Sequence, residues 1–108
     1  MTLIEHATLY FQAFSSKNEA GLYRMLHPKV TLRDWTIDIA GRDEVLAEMG
    51  RAFRTFNTIA VAPVNLYQHN DTVIGELSIS LENELIRVVD IITYTDEREI
   101  ISIRAFKG

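Results

Sequence analysis

The sequence contains no cysteine, and it is poor in proline and glycine. Without cysteine the chain can form no disulfide, offers no thiol nucleophile and supplies no thiolate ligand to a metal. Two prolines, five glycines and 47% hydrophobic residues among 108 are typical of a globular protein. This length predicts a single domain, residues 1–108, with one hydrophobic core.

Long apolar runs and runs of basic residues are also absent. No segment approaches the ~20 apolar residues that a membrane-spanning helix needs, and the first residues lack the basic and then apolar order of a signal peptide. The net charge of −4 and the scattered Lys and Arg residues argue against binding to nucleic acid or an anionic membrane. We therefore expect a cytoplasmic protein without nucleic-acid or membrane partners.

Motifs for metals and nucleotides are missing as well. The three histidines fall in separate predicted elements, and no two have the spacing of metal ligands. There is no glycine-rich phosphate loop, nucleophile elbow or zinc motif. The sequence predicts neither a metal nor a cofactor.

The first half of the chain has helical periodicity. Thr2 and Glu5 have the spacing of a capping box, and apolar residues follow on one helix face. A second, short helix should stop at His27-Pro28, and a third should begin at Gly41. Between the second and third helices we predict a strand over Lys29–Trp35 and a short strand over Thr36–Ala40.

The second half predicts only strands, separated by short polar turns. Such turns favour an antiparallel meander, so the chain reads as an α+β domain: a cone-shaped, curved antiparallel sheet packed against three helices from the N-terminal half. A pocket is expected between the sheet and the helices. The predicted strands are Ile59–Gln68, Thr72–Glu82, Leu85–Thr95 and Glu99–Phe106.

Asp90 interrupts the apolar run Leu85–Tyr94. Side chains alternate along a strand, so Asp90 shares a face with Val88 and Ile92. An ionised carboxylate is costly to bury there, and the usual relief is a raised pKa or a dedicated partner. A carboxyl group kept neutral could donate a hydrogen bond to a substrate oxygen. The structural alternative is a bulge or an edge strand that lets Asp90 reach water.

Two more polar side chains are predicted to face the same interior. Tyr10 lies on the apolar face of the first helix, and Asp34 shares a strand face with Val30 and Leu32. Each has an ordinary explanation, namely a core tyrosine bonded to the backbone and an aspartate that ends a strand at the surface. Because this architecture lets the first helix and both strands converge, the two residues and Asp90 together predict one site.

Several segments carry a family resemblance. These segments resemble parts of one known family: Leu26–Asp34 resembles its helix end and acid-bearing first strand, and Gly41–Val45 resembles the start of its third helix. Val88–Asp96 and Ile101–Phe106 resemble its last two strands. Over nearly its whole length, the chain resembles the ketosteroid isomerase branch of the nuclear transport factor 2-like (SnoaL-like) superfamily, which has a cystatin-like fold.

The resemblance implies a catalytic arrangement. In these isomerases a tyrosine of the first helix and a protonated aspartate of the penultimate strand bind the enolate oxygen, and an aspartate of the first strand is the base. The matching residues are Tyr10, Asp90 and Asp34. The implied enzyme is a cofactor-independent isomerase that moves a proton α to a carbonyl of a small hydrophobic substrate.

The surroundings of the site complete the prediction. We expect a homodimer through the open sheet face, to which we assign Leu77, Ile79 and Ile101. Trp35 should alternate away from Asp34 and serve packing or an interface. The residues expected to line the substrate pocket are Phe14, Met25, Met49, Phe53 and Ile92.

Two other functions stay open, because one fold hosts many activities. The first is a non-catalytic module of the same fold that binds a small molecule or a protein. The second is another enzyme of the superfamily, such as an epoxide hydrolase or a polyketide cyclase. A resemblance to the epoxide hydrolases would imply an Asp-Arg-Asp arrangement with an acid on the last strand, where this chain has Arg104-Ala105. The odd spacing of Arg87 and Asp90 also puts these two residues on opposite strand faces.

Overall fold

The computed structural model describes residues 1–108, which form three helices and one six-stranded sheet. The order of elements agrees with the sequence prediction, and no helix follows Thr58. No helix combines the length and apolar character needed to cross a membrane. The elements are α1 Leu3–Ser15, α2 Glu19–Met25, β1 Leu26–Arg33, β2 Asp38–Ala40, α3 Arg42–Thr55, β3 Ile59–His69, β4 Thr72–Leu81, β5 Glu84–Tyr94 and β6 Ile100–Lys107.

The sheet has the strand order β2-β1-β6-β5-β4-β3. Strands β3 to β6 form the predicted antiparallel meander, and β1 and β2 are also antiparallel. One pair departs from the expected antiparallel pattern: β1 runs parallel to β6, so the sheet is mixed. This pairing joins the two halves of the chain and puts Arg33, at the end of β1, beside Arg104.

The helices begin and pack as their sequences dictate. Thr2 and Glu5 form the predicted capping box of α1. Gly41 precedes α3 with a φ of 98°, a conformation that suits glycine because it has no Cβ. Gly75 on β4 has a different function: a Cβ there would lie 3.2–3.3 Å from side-chain atoms of Leu66, Leu77 and Phe11. The missing side chain lets α1 lie close to the sheet.

Lys17, just after α1, stabilises the C-terminal end of α3. Its ammonium group donates to the carbonyl oxygens of Phe53, Phe56 and Asn57 at 2.8, 2.5 and 2.9 Å. These carbonyls lie where a helix leaves acceptors without intrahelical partners, and a cation is favourable there. We expect Lys17→Met to lower the free energy of unfolding by about 1–3 kcal/mol in urea titrations. Exposed Lys29→Met is the control, and equal effects of the two changes would contradict this function of Lys17.

The open face of the sheet differs from the one predicted. Leu77 and Ile79 pair in register with Val88 and Ile86, so they lie on the helix-covered face, and their assignment to the open face was wrong. Ile101 is half-buried near the register shift between β5 and β6. The alternation along β4 was a usable signal for the assignment of its faces: Val73, Leu77, Ile79 and Leu81 share one strand face, whereas Glu76, Ser78 and Ser80 lie on the other, and the apolar face is the one that the helices cover. The large hydrophobic residues exposed on the open face are Tyr67, Leu85, Val89 and Phe106.

Candidate active site

A cavity of about 180 Å³ lies between the helices and the covered face of the sheet. Seventeen residues line it, and fourteen of them are hydrophobic. The three charged lining residues are Asp34, Glu48 and Asp90, and Tyr10 adds a hydroxyl group. No group of three or more His, Cys, Asp or Glu side chains is placed to hold a metal ion. The cavity therefore combines an apolar wall with a few polar groups, as small-molecule sites do.

Tyr10 reaches the cavity from the buried face of α1. Its side chain is 4% exposed, and its ring packs 5.5 Å from that of Phe11 and 6.2 Å from that of Phe14, measured between centroids. Burial, followed by the charges of Asp90 and Tyr94, raises the pKa of the Tyr10 hydroxyl well above its ordinary value. Tyr10 therefore stays protonated at neutral pH and keeps a proton to donate.

Asp90 lies in the middle of β5, on the cavity side of the sheet. It is the only buried charged residue, at 9% exposure, and its register partners on both neighbouring strands are small, Gly75 and Ala105. Burial raises the pKa of the Asp90 carboxyl to about 7, and the charge of Asp34 acts in the same direction. A neutral carboxyl group is thus available below neutral pH, and it can donate a hydrogen bond.

Asp34 is fixed by the turn that follows β1. Its Oδ1 accepts hydrogen bonds from the Thr36 backbone N–H (2.7 Å), the Thr36 hydroxyl (3.1 Å) and the Ile37 N–H (2.9 Å). Its own backbone N–H donates to the Ile37 carbonyl at 3.0 Å. All these bonds engage Oδ1 or the backbone, so Oδ2 is left to accept from a bound molecule. A half-buried carboxylate in a fixed orientation results.

The structure brings Tyr10, Asp34 and Asp90 together in this one cavity. Of the predicted lining residues, Phe14 and Met49 contribute to its wall. Two others are core residues: Ile92 is fully buried, and Phe53 is 6% exposed. Met25 is also absent from the lining and packs against the core from the end of α2.

Cross-strand neighbours explain why the cavity opens at Asp90 and not at Ile92. Asp90 lies between Gly75 and Ala105, whereas Ile92 lies between Val73 and Ile103. The small side chains leave space above the sheet, and the branched ones fill it. The strand face of Ile92 was predicted correctly, but its place in the pocket was not. Phe53 was misplaced because its ring packs edge-on against Phe14, with centroids 4.9 Å apart.

The sequence prediction missed twelve of the seventeen lining residues, among them Trp35 and Glu48. Trp35 was expected to point away from Asp34, but β1 ends at Arg33, so strand alternation no longer applies and Trp35 lines the cavity while 48% exposed. Glu48 follows Val45 by three residues and precedes Met49 on the inner stripe of α3. That helical spacing was a usable signal for Glu48.

Tyr94 carries a buried hydroxyl group without a hydrogen-bond partner. The residue is 3% exposed, and burial raises the pKa of this hydroxyl. Because an unpaired buried polar group costs free energy, we expect Tyr94→Phe to raise the free energy of unfolding by about 1 kcal/mol. Urea titration measures the change. A destabilised Tyr94→Phe variant would reveal a partner for the hydroxyl.

Comparison with known proteins defines the class of this fold and site. Residues 7–101 match the family model of the SnoaL-like domain, so the chain belongs to the SnoaL-like family. No curated protein sequence matches it. The resemblance inferred from the sequence is thus confirmed at the level of the superfamily, and the fold is the nuclear transport factor 2-like α+β fold.

Solved structures agree with this assignment. An NTF2-like protein of unknown function from Cytophaga hutchinsonii has a TM-score of 0.86 at 12% identity, covering 100% of this chain and 91% of that chain. A protein from Agrobacterium tumefaciens, provisionally named an isomerase of the SnoaL-like family, has a TM-score of 0.85 at 13% identity, and the match covers 100% of this chain and 99% of that chain. A protein from Sinorhizobium meliloti, provisionally named a polyketide cyclase, has a TM-score of 0.84 at 14% identity, and the match covers 97% of this chain and 99% of that chain. At these identities the likeness concerns the fold alone.

Proposed function

We propose that the protein is a cofactor-independent isomerase that moves a proton α to a carbonyl group of a small hydrophobic substrate. The observation that supports this proposal is the content of the cavity: a fixed carboxylate, the Tyr10 hydroxyl and the Asp90 carboxyl, which is a donor below its pKa of about 7, line one apolar pocket. A base and a pair of hydrogen-bond donors are the groups that enolate chemistry requires.

The reaction would proceed in two proton transfers. In the first, Oδ2 of Asp34 takes a proton from the α carbon; the electrons of the C–H bond form the enolate double bond, and the carbonyl oxygen becomes an oxyanion. Tyr10 and protonated Asp90 donate hydrogen bonds to that oxygen. In the second, Asp34 returns its proton to another carbon of the conjugated system, and the carbonyl group re-forms.

Charge distribution in the cavity suits these steps. The negative charge leaves Asp34 as the carboxylate is protonated, and it appears on the enolate oxygen beside the two donors. The total charge inside the apolar walls stays constant, so no ion has to enter from water. Donors already held by the fold stabilise this developing charge more effectively than mobile water does.

The direct test measures proton exchange and binding separately. The purified protein is incubated in D₂O with a β,γ-unsaturated cyclic ketone, and deuterium incorporation is followed by NMR; binding of a phenol, which mimics the enolate, is measured by calorimetry. We expect exchange and binding in the wild type, and Tyr10→Phe should weaken both because it removes a donor to the oxygen. Tyr23→Phe, at an exposed tyrosine outside the cavity, is the matched control.

The same experiment separates the enzyme from a binding module. A wild-type protein that binds phenols but exchanges no proton from any activated ketone would establish a non-catalytic ligand-binding function. If the protein neither binds phenols nor exchanges protons, the cavity is neither the site of this isomerase nor a binding site for such ligands.

We also propose that two copies of the chain associate through the open sheet face. The four exposed hydrophobic residues of that face, Tyr67, Leu85, Val89 and Phe106, support this proposal. Sedimentation velocity should show a dimer that Val89→Lys converts to a monomer, because the change puts a charge into an apolar contact. A monomeric wild type would contradict it.

A further inference from the structure

A second groove, of about 440 Å³, adjoins the cavity where β1 and β6 end. Asp34, Trp35 and Ala105 line both the cavity and this groove. The two spaces therefore meet at these three residues, and Trp35 forms part of the boundary between them. A molecule longer than the cavity could extend from one into the other.

The groove is rich in positive charge. It is lined by Arg33, Arg104 and Lys107, all exposed, in a chain whose net charge is −4. The parallel pairing of β1 and β6 sets Arg33 directly beside Arg104 on the open-face side of the strand ends, where Phe106 also lines the groove, and the Lys107 ammonium lies 5.9 Å from the centroid of the Trp35 ring. The groove thus lies at the strand-end edge of the face through which two copies are proposed to associate. We call this groove, with its three cations Arg33, Arg104 and Lys107, the basic groove.

Asp34 is the one carboxylate that lines the basic groove, and it forms no ion pair with the three cations. The one ion pair of the chain joins Glu48 and Arg51, so none of the three cations is engaged in one. Asp38 faces Arg33 in the β1–β2 register but forms no ion pair with it, and Asp34 uses Oδ1 for its own turn. Adjacent like charges repel each other, and a bound anion would relieve this repulsion.

The size of the cavity indicates what would extend into the groove. Its volume of about 180 Å³ is close to that of a ~150 Å³ cavity that holds benzene, and it is smaller than the ~300–1,000 Å³ of pockets that enclose drug-sized ligands. One ring with its carbonyl group fills such a space. Any further substituent of the substrate has to leave it, and the groove adjoins it at Asp34, Trp35 and Ala105.

We propose that the basic groove binds an anionic side arm of the substrate. This inference rests on the proposed function and narrows its substrate class to single-ring unsaturated ketones that carry a carboxylate or phosphate group. Arg33 and Arg104 offer planar guanidinium groups that can each donate two hydrogen bonds to such an anion, and Lys107 adds a mobile charge. Binding would anchor the side arm while the ring presents its α carbon to Asp34.

The test compares phenols that differ only in the side arm. Calorimetry measures 4-ethylphenol, 3-(4-hydroxyphenyl)propanoate and 2-(4-hydroxyphenyl)ethyl phosphate against the wild type and an Arg33→Gln/Arg104→Gln double variant. We expect the anionic phenols to bind about tenfold more tightly than 4-ethylphenol at low salt. High salt and the double variant should each remove this gain, because exposed charges are screened by ions. Whichever anionic phenol gains more affinity over 4-ethylphenol shows whether the groove prefers a carboxylate or a phosphate group.

Controls make each outcome decisive. Binding of 4-ethylphenol should be unchanged in the double variant, which also shows that it is folded. An Arg24→Gln/Arg98→Gln variant removes two exposed cations away from the groove and should keep the full gain. Equal binding of neutral and anionic phenols overturns the basic groove as a binding site and leaves the proposed function intact. If no phenol binds, the proposed function fails and the inference falls with it.

Discussion

Asp34→Asn is expected to lower the rate of proton exchange on a β,γ-unsaturated ketone by about 10²–10⁴-fold, the usual contribution of a positioned base. Phenol binding should remain close to that of the wild type. The amide keeps an oxygen that can accept from Thr36 and Ile37, so the turn is preserved, whereas the second oxygen is replaced by a nitrogen that cannot take the proton. Deuterium incorporation by NMR and calorimetry measure the two effects.

Two further variants complete this experiment. Asp38→Asn removes a nearby exposed carboxylate outside the cavity and should exchange protons at the wild-type rate. An Asp34→Asn variant as active as the wild type would show that Asp34 is not the base. Glu48, the other acid of the cavity wall, would then be the residue to replace with Gln.

Asp90 should make the stability of the protein fall as the pH rises. Its pKa is about 7 in the folded protein against an ordinary value of 3.8, so between these values the folded state binds more protons than the unfolded state. The free energy of unfolding then decreases with increasing pH across this interval. The stabilisation is complete below the lower value and lost above pH 7, and it amounts to about 4 kcal/mol at 1.36 kcal/mol per pKa unit.

Asp90→Asn should flatten this dependence, because the amide does not titrate. Urea titrations at about pH 5 and about pH 8 should show the wild type losing stability and the variant losing much less, so that the variant is the more stable protein at the higher pH. Asp38→Asn should keep the wild-type slope. Parallel pH dependence in the wild type and Asp90→Asn would show that Asp90 is solvated. Phenol binding should weaken over the same pH range as the neutral donor is lost.

The helices, the meander and the buried face of β5 could all be predicted from the sequence, because they follow from local periodicity. Alternation along one strand predicted that Asp90 faces the core, and helical spacing predicted the same for Tyr10. The match of residues 7–101 confirms the SnoaL-like superfamily. The chemical functions of Tyr10, Asp34 and Asp90 stay predictions for the experiments above.

What the sequence could not reveal depends on neighbours that are distant in the chain. Ile92 was expected in the pocket because it shares a face with Asp90, but cross-strand partners decide which position on that face is open. Trp35 was misassigned because a period of two holds only until the strand ends. The parallel pairing of β1 with β6 leaves no local pattern at all, yet it assembles the basic groove.

The small residues beside Asp90 determine how much space the cavity has, independently of its polar groups. Gly75 has little room for a side chain, since a Cβ there would lie 3.2–3.3 Å from side-chain atoms of Leu66, Leu77 and Phe11 and would require them to shift. Ala105, on the other side of Asp90, lines the cavity, and a larger side chain there would narrow the space without replacing any of the three polar groups. A single position on β6 can thus change the size of the cavity while Tyr10, Asp34 and Asp90 stay in place.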